Sequence, residues 1–336
     1  MLKEESSEGR TIRAALCRRW GEIDDVRIER VKAPRPGAGE VLIDVKASGI
    51  NSTDVLLVTG RHQTNAQLAL PYIPGLETAG VVAECGDGVG HVKPGDRVMG
   101  LLPHGGLAEQ AVGKASEIFP IPDGMSFAHA GAFAVSYISS HLALHWNARL
   151  MAGETLLVLG AAGGVGLAAV QIGKAMGARV IAGASTAEKL AITRQSGADE
   201  LIDYATENLK ERVMDLTGGE GVDVCFDPIG GPLCDSALSA LGWGGRILHL
   251  GFVGGFQQIP ANRLLVKNRS AIGSSGRYFR LRAPDKLRQT AETLLAWYAE
   301  GRLRPMVTRN LPLERVCEAL KLLAERKVSG KVVVTP

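Results

Sequence analysis

The chain has 336 residues, 46% hydrophobic and 22% charged, with a formal net charge of +3. That length supports about two domains, each able to bury its own core. The charge is small and scattered, with no basic tract interleaved with aromatics, so composition gives no ground for a nucleic acid or an anionic membrane surface as partner.

The opening MLKEESSEGR is acidic, polar and short. It lacks an apolar core or an Arg-rich amphipathic pattern, and predicts a disordered tail over 1–10 rather than a targeting signal. Cys17, Cys85, Cys225, Cys234 and Cys317 are odd in number and widely spaced, without C-x-x-C. Such cysteines fit reduced thiols in a cytoplasmic protein. Over 11–121, short runs punctuated by glycine and proline predict strands: VLIDVKASG alternates apolar and polar residues, and PGD at 94–96 turns the chain into RVMG. From about residue 126 helix and strand alternate. AHAGAFAVSYISSHLALHW predicts a helical pair, and a βα series follows to residue 274.

Within that series, 153–174 reads GETLLVLGAAGGVGLAAVQIGK: an apolar strand, a glycine turn and a helix starting near Gly164. The fingerprint G-x-G-x-x-G needs a tight turn, a close approach of backbone to a pyrophosphate, and close helix-to-strand packing. Ala161, Gly163 and Gly166 fall on those places. Ala161 departs from the usual glycine and is tolerable if its φ stays negative. The start of the helix, at Gly164 and Val165, would aim unpaired N–H groups and the positive dipole end at the pyrophosphate. The charge-free run 155–173, with G-x-x-x-G at 160–164, also admits a membrane helix, and a purely structural strand-turn-helix is a further reading. Glycines clustered at the strand end, the next strand ARVIAGAS and the later runs LID, VDVCFD and RILHL favour the dinucleotide reading. No G-K-[ST] closes the run, which excludes a P-loop.

An NAD site places Asp or Glu at the end of the second strand to bind the ribose diol. Here Gly183, Ala184, Ser185 and Thr186 occupy that region, and Lys189 follows within one helical turn. An ammonium beside two hydroxyls suits a 2′-phosphate and favours NADPH over NADH; otherwise Lys189 is a solvated helix residue. Beyond residue 276, PDKLRQTAETLLAWYAEG and LERVCEALKLLAERK predict helices, and GKVVVTP a closing strand that needs a sheet to join. The expected fold class is α/β. A Rossmann doubly wound parallel sheet over 136–274 is flanked by a discontinuous β-rich domain over 11–135 and 275–336, with the nicotinamide end of the cofactor in the cleft.

These residues resemble the medium-chain dehydrogenase/reductase superfamily, and within it the zinc-independent quinone oxidoreductase (zeta-crystallin-like) branch. The resemblance rests on 153–174, SGINSTD (48–54), PYIPGLETAGVV, GDRVMG, DPIGG (227–231), GFVGG (251–255) and SGKVVV. It implies a GroES-like substrate domain, a Rossmann domain that binds NADPH, and a homodimer. It also implies Lys189 and Tyr204 at the 2′-phosphate, and Ser139, Phe252 and Val253 along the cofactor. Zinc-dependent relatives place a catalytic Cys where this chain has Asn51, and a His-Glu pair where it has Leu76 and Glu77. The four-cysteine lobe of zinc alcohol dehydrogenases is missing too, so no metal is expected. His141 and His145 stand at i and i+4 but lack the H-E-x-x-H glutamate and a third ligand, and read as packing or surface residues.

Without zinc, oxidation of a simple alcohol loses its main support. A quinone or α,β-unsaturated carbonyl spreads incoming hydride charge onto a distant oxygen that a few donors can stabilise. Asn51 is the candidate donor through its amide N–H, or else a turn cap. His62, where the family often has tyrosine, is a candidate proton donor or a loop residue. The expected function is an NADPH-dependent quinone or enone oxidoreductase. The alternatives are an NADPH-binding structural or sensing protein and a zinc-type alcohol dehydrogenase.

Overall fold

The computed structural model describes residues 9–336, so the tail expected over 1–10 lies outside the described residues except for its last two. The chain first forms β1 (Thr11–Leu16), β2 (Arg27–Lys32), β3 (Glu40–Gly49), α1 (Ser52–Val58), β4 (Glu77–Cys85), β5 (Arg97–Leu101), β6 (Gln110–Lys114), β7 (Ile118–Pro120) and α2 (Phe127–Gly131). Helix α3 (Ala134–His141) runs through a π-helical turn (Leu142–Asn147) into β8 (Thr155–Val158), α4 (Gly164–Ala175), β9 (Arg179–Ala184), α5 (Ala187–Gln195) and β10 (Glu200–Asp203). There follow α6 (Leu209–Leu216), β11 (Val222–Asp227), α7 (Gly231–Ala240), β12 (Leu241–His249), α8 (Ala261–Leu265), β13 (Ser270–Gly273), α9 (Gly276–Arg282) and α10 (Pro284–Ala299). The chain closes with β14 (Val307–Pro312), α11 (Val316–Ala324) and β15 (Lys331–Thr335).

Strands β8 to β13 form one parallel sheet in the order β10-β9-β8-β11-β12-β13. This is the doubly wound Rossmann order, and it reverses between β8 and β11, where ligands enter from the carboxyl ends of the strands. Both faces of the sheet are covered, so its strands are apolar throughout: Leu156, Leu157, Val158, Val180, Ile181 and Phe226 are fully buried. The charge-free run 155–173 therefore divides into a short strand, a glycine turn and a helix. Among the described residues no helix is long and apolar enough to cross a membrane.

The second sheet runs β14-β15-β3-β4-β5-β7, with β6 also on β3. Alternation decides its inner face: Val41, Ile43 and Val45 of β3 pack with Val82, Val98 and Ile118. The closing strand β15 finds its sheet by pairing antiparallel with β3 and parallel with β14.

The chain divides into two compact units, Met1–Val135 with Val307–Pro336, and Ser136–Met306. The stretch 275–306 was expected in the β-rich domain and lies with the Rossmann sheet instead. Helix α10 buries Leu287, Ala291 and Leu294, and its Thr290 Oγ1 lies 3.1 Å from both the Trp146 indole nitrogen and His141 Nδ1. Gln171 of α4 then holds the following segment, accepting from the Arg304 N–H at 2.8 Å and donating to its carbonyl at 3.0 Å. The amphipathic pattern of α10 announced a buried face without saying what covers it.

Candidate functional site

In the first unit a buried polar network forms where β3 passes into α1. Asn51 is the N-cap of α1, with extended backbone at φ −125° and ψ 154°. Asp54, one turn later, accepts the N–H of Asn51 at 2.8 Å and that of Gly75 at 3.0 Å. Burial pushes the Asp54 carboxyl up to about 6, against the pull of those N–H groups and the Lys331 ammonium.

The Asn51 Nδ2 donates to Glu77 Oε1 at 2.9 Å and to the Gly49 carbonyl at 3.3 Å. Its Oδ1 accepts from Lys331 Nζ at 2.7 Å. Lys331 also donates to Glu77 Oε1 at 2.6 Å and to the Ile50 carbonyl at 3.2 Å, which uses all three of its donors. Glu77 Oε2 takes the Val135 N–H at 2.8 Å. The amide orientation follows from charge: its oxygen must face the ammonium and its nitrogen the carboxylate. Gly49 is required beside this network, since a Cβ there would stand 2.4 Å from both Glu77 Oε1 and the Gly131 carbonyl.

One expectation changes here. The Asn51 amide was read as a donor to substrate, yet both of its N–H groups are committed to protein acceptors; the side chain ties Glu77 to Lys331. The positions that supply zinc ligands in the zinc-dependent relatives hold an amide, an isobutyl group and a carboxylate bonded to an ammonium. That set does not fit a catalytic zinc. Lys331 and Asp54 were not foreseen. The available signal for Lys331 was a lysine opening the otherwise apolar run KVVV, whose valines are buried. His62 lies in the loop after α1, with its Nδ1 2.7 Å from Thr64 Oγ1 and its N–H bonded to the Leu56 carbonyl.

In the second unit the glycine turn follows β8. Gly160, at φ +56°, makes the sharp turn, one residue before the place that the fingerprint assigned to Ala161. Ala161 is buried, avoids the left-handed region, and bonds through its N–H to the Gly183 carbonyl at 3.0 Å. Gly166 packs the helix on the turn: a Cβ there would lie 2.3 Å from the Gly160 carbonyl oxygen and 2.7 Å from Ala161 Cα. Gly163, the N-cap of α4, is different. A Cβ there would meet only the Gly160 oxygen, at 3.4 Å, so the protein itself has room for a side chain. Gly164 and Val165 open α4, where the first N–H groups of a helix lack acceptors within it.

Ser185 follows β9, and Thr186 caps α5 by accepting the Lys189 N–H at 3.3 Å. Lys189 Nζ lies 3.4 Å from Ser185 Oγ. The neighbouring Glu188 is exposed; its own N–H and the Thr186 hydroxyl hold its carboxyl below the usual range. Tyr204 directly follows Asp203, which pairs with Ala184, and its ring stands 3.1 Å from where a Gly183 Cβ would be. Ser185, Lys189 and Tyr204 thus share the carboxyl ends of β9 and β10. Phe252 and Val253 lie in the loop after β12, which interlocks with the loop after β11: Gly254 N–H bonds to the Ile229 carbonyl at 2.7 Å and Gly231 N–H to the Gly255 carbonyl at 3.0 Å. Ser139 of α3 faces the backbone of Gly276, its Oγ 3.7 Å from where a Cβ would be.

Comparison with known proteins covers both units. Residues 37–123 match the alcohol dehydrogenase GroES-like domain family, and residues 164–298 match the family described as zinc-binding dehydrogenase. Quinone oxidoreductase-like protein 2 of Bos taurus is 38% identical over 331 residues, spanning 97% of this chain and 93% of that protein. Quinone oxidoreductase of Sus scrofa is 32% identical over 306 residues, spanning 90% of this chain and 91% of its own length. The crystal structure of Escherichia coli quinone oxidoreductase complexed with NADPH superposes with a TM-score of 0.88 at 27% identity, covering 97% of this chain and 99% of that one.

Proposed function

The chain belongs to the quinone oxidoreductase-like branch of the medium-chain dehydrogenase/reductase superfamily, and from that membership we propose that it is an NADPH-dependent, zinc-independent oxidoreductase acting on quinones or α,β-unsaturated carbonyls. The observation that carries this reading is the Lys331 ammonium bonded to both Asn51 and Glu77, at positions that hold metal ligands in zinc-dependent relatives. Without a Lewis acid to hold an alkoxide, the site suits an acceptor that disperses its own developing charge.

The residues of the second unit fit NADPH. Gly163 leaves open space at the start of α4, which serves a ligand rather than the fold. The N–H groups of Gly164, Val165 and Gly166 would hold the pyrophosphate on the turn made by Gly160 and Ala161. Ser185, Lys189 and Tyr204 would hold the 2′-phosphate, with no carboxylate at the end of β9 to prefer a free diol. Ser139, Phe252 and Val253 would border the rest of the cofactor. When bound, NADPH supplies the hydride. In the first unit Asn51 fixes Glu77 and Lys331 in one arrangement, and His62 is our candidate to return a proton to the substrate oxygen.

We also propose a homodimer in the cytoplasm. The parallel sheet ends at β13, and Trp243, Leu265 and Val266 are exposed near that edge. Sedimentation at micromolar concentration is expected to give twice the chain mass.

The engaged amide of Asn51 favours one alternative, an NADPH-binding protein with little turnover. A panel of quinones, enals and enoyl thioesters separates the two. NADPH-dependent loss of absorbance at about 340 nm with at least one acceptor class supports the enzyme. Tight NADPH binding without turnover across the panel supports the alternative.

A further inference from the structure

Among the described residues, buried side-chain nitrogen and oxygen atoms without a hydrogen-bond partner are few, and three of them belong to Asp227 and His249: Asp227 Oδ2 and both ring nitrogens of His249. Asp227 ends β11 and His249 ends β12, and the parallel register sets them side by side. Their side chains therefore share one face of the sheet. Helix α7 starts four residues after Asp227 and brings Cys234 onto the same place. The donor atoms of Asp227, Cys234 and His249 all lie within 4.8 Å of one another, and Asp227 Oδ2 is 3.4 Å from His249 Nδ1.

The carboxylate is aimed by its other oxygen. Asp227 Oδ1 accepts the N–H groups of Ile229 at 2.9 Å and Gly230 at 2.8 Å, which fixes Oδ2 toward the cluster. A simple Asp-His hydrogen bond would satisfy Oδ2 and one ring nitrogen. It would still leave the other ring nitrogen orphaned.

We propose that Asp227, Cys234 and His249 form a binding site for a divalent transition-metal ion of the zinc class, separate from the Asn51–Glu77–Lys331 network. Tetrahedral ligands at about 2.0–2.3 Å from an ion stand roughly 3.3–3.8 Å apart. The carboxylate-imidazole pair already has that spacing, and closure on the thiol needs a shift on the order of 1 Å. One oxygen, one nitrogen and one sulfur suit zinc; magnesium and calcium take oxygen donors. As the metal-sulfur bond forms, the Cys234 thiol releases its proton to solvent, and no electron is transferred. Three protein ligands leave the fourth tetrahedral position to a water molecule. The ion would join the ends of β11 and β12 to the start of α7, a structural role beneath the interlocked glycine loops.

The test uses the full chain stripped of metal with a chelator and titrated with Co²⁺, whose thiolate complexes absorb by charge transfer in the near ultraviolet. One equivalent is expected to saturate the band, Zn²⁺ to abolish it by displacement, and Cys234→Ala to remove it. His249→Gln leaves the Asp227 loop bonds in place and is expected to weaken Co²⁺ binding at least ~10-fold. Far-ultraviolet circular dichroism establishes that each variant folds, and either one suffices. A titration of the wild-type chain that yields no thiolate band, a band that persists in Cys234→Ala, or unchanged affinity in His249→Gln overturns the proposal.

Discussion

Lys331 Nζ lies 2.6 Å from Glu77 Oε1, with both side chains withdrawn from solvent. Desolvating two charges is costly, and each is tolerable only because the other, with Asn51 and two backbone groups, completes its bonding. Lys331→Met leaves Glu77 as a lone buried carboxylate and is expected to cost about 3–5 kcal/mol in urea unfolding. The double variant Glu77→Gln with Lys331→Met should recover much of that loss. A single variant within about 1 kcal/mol of wild type would show that the pair is screened by solvent.

The two glycines of the cradle separate fold from ligand. Gly166→Ala drives a methyl group to within 2.3 Å of a backbone oxygen and is expected to destabilise the chain by about 1–3 kcal/mol. Gly163→Ala meets nothing closer than 3.4 Å and should leave the melting temperature nearly unchanged while weakening NADPH binding. Thermal melts and a fluorescence titration of both variants check this, and equal losses of stability would contradict it.

Lys189→Ala removes an ammonium whose neighbour is the Ser185 hydroxyl. A charge-assisted bond to phosphate is worth about 1.5–3 kcal/mol, so the dissociation constant for NADPH should rise more than ~10-fold. That for NADH should change less than about twofold, since it carries no 2′-phosphate. Equal small effects on both would remove Lys189 from the phosphate site.

Acid lability should trace to His141. Burial, with a smaller contribution from stacked His145, pushes its imidazole down to about 3, and the Thr290 hydroxyl faces its Nδ1 at 3.1 Å. The fold requires the neutral ring, so this stability is present above about 6.5 and is lost as pH falls from there toward 3. Between pH 8 and pH 5 the loss is about 2 kcal/mol. Asp54 works in the opposite sense, because its folded value of about 6 lies above the ordinary 3.8 and favours the fold on acidification. Its effect over the same window is about 1 kcal/mol, so His141 dominates. Urea unfolding at the two pH values should show His141→Gln losing less stability than wild type, and Asp54→Asn losing more.

The Rossmann sheet was legible because strands buried on both faces and helices with glycine starts repeat at short spacing, as in 153–185. The closing strand KVVVT was legible for the same reason, its charge-free valines needing a sheet. The partners of the network were not. Lys331 and Glu77 are 254 residues apart, and no local pattern encodes a side-chain contact over that distance. The placement of 275–306 failed likewise, since Leu287, Ala291 and Leu294 mark a buried face of α10 but not the surface it meets. In the glycine run, the fingerprint found the turn and allowed Ala161 there only at negative φ, which it keeps; the left-handed residue is Gly160, one place earlier. The Asp227–Cys234–His249 cluster came only from register, which sets the ends of β11 and β12 side by side.

Transfer from NADPH to a conjugated acceptor is tested most directly with NADPH carrying deuterium at both nicotinamide C4 positions and an α,β-unsaturated ketone. The account predicts a saturated ketone carrying deuterium at the β-carbon, formed faster with NADPH than with NADH. A saturated ketone unlabelled at the β-carbon, or an untouched enone with the cofactor bound, would contradict it.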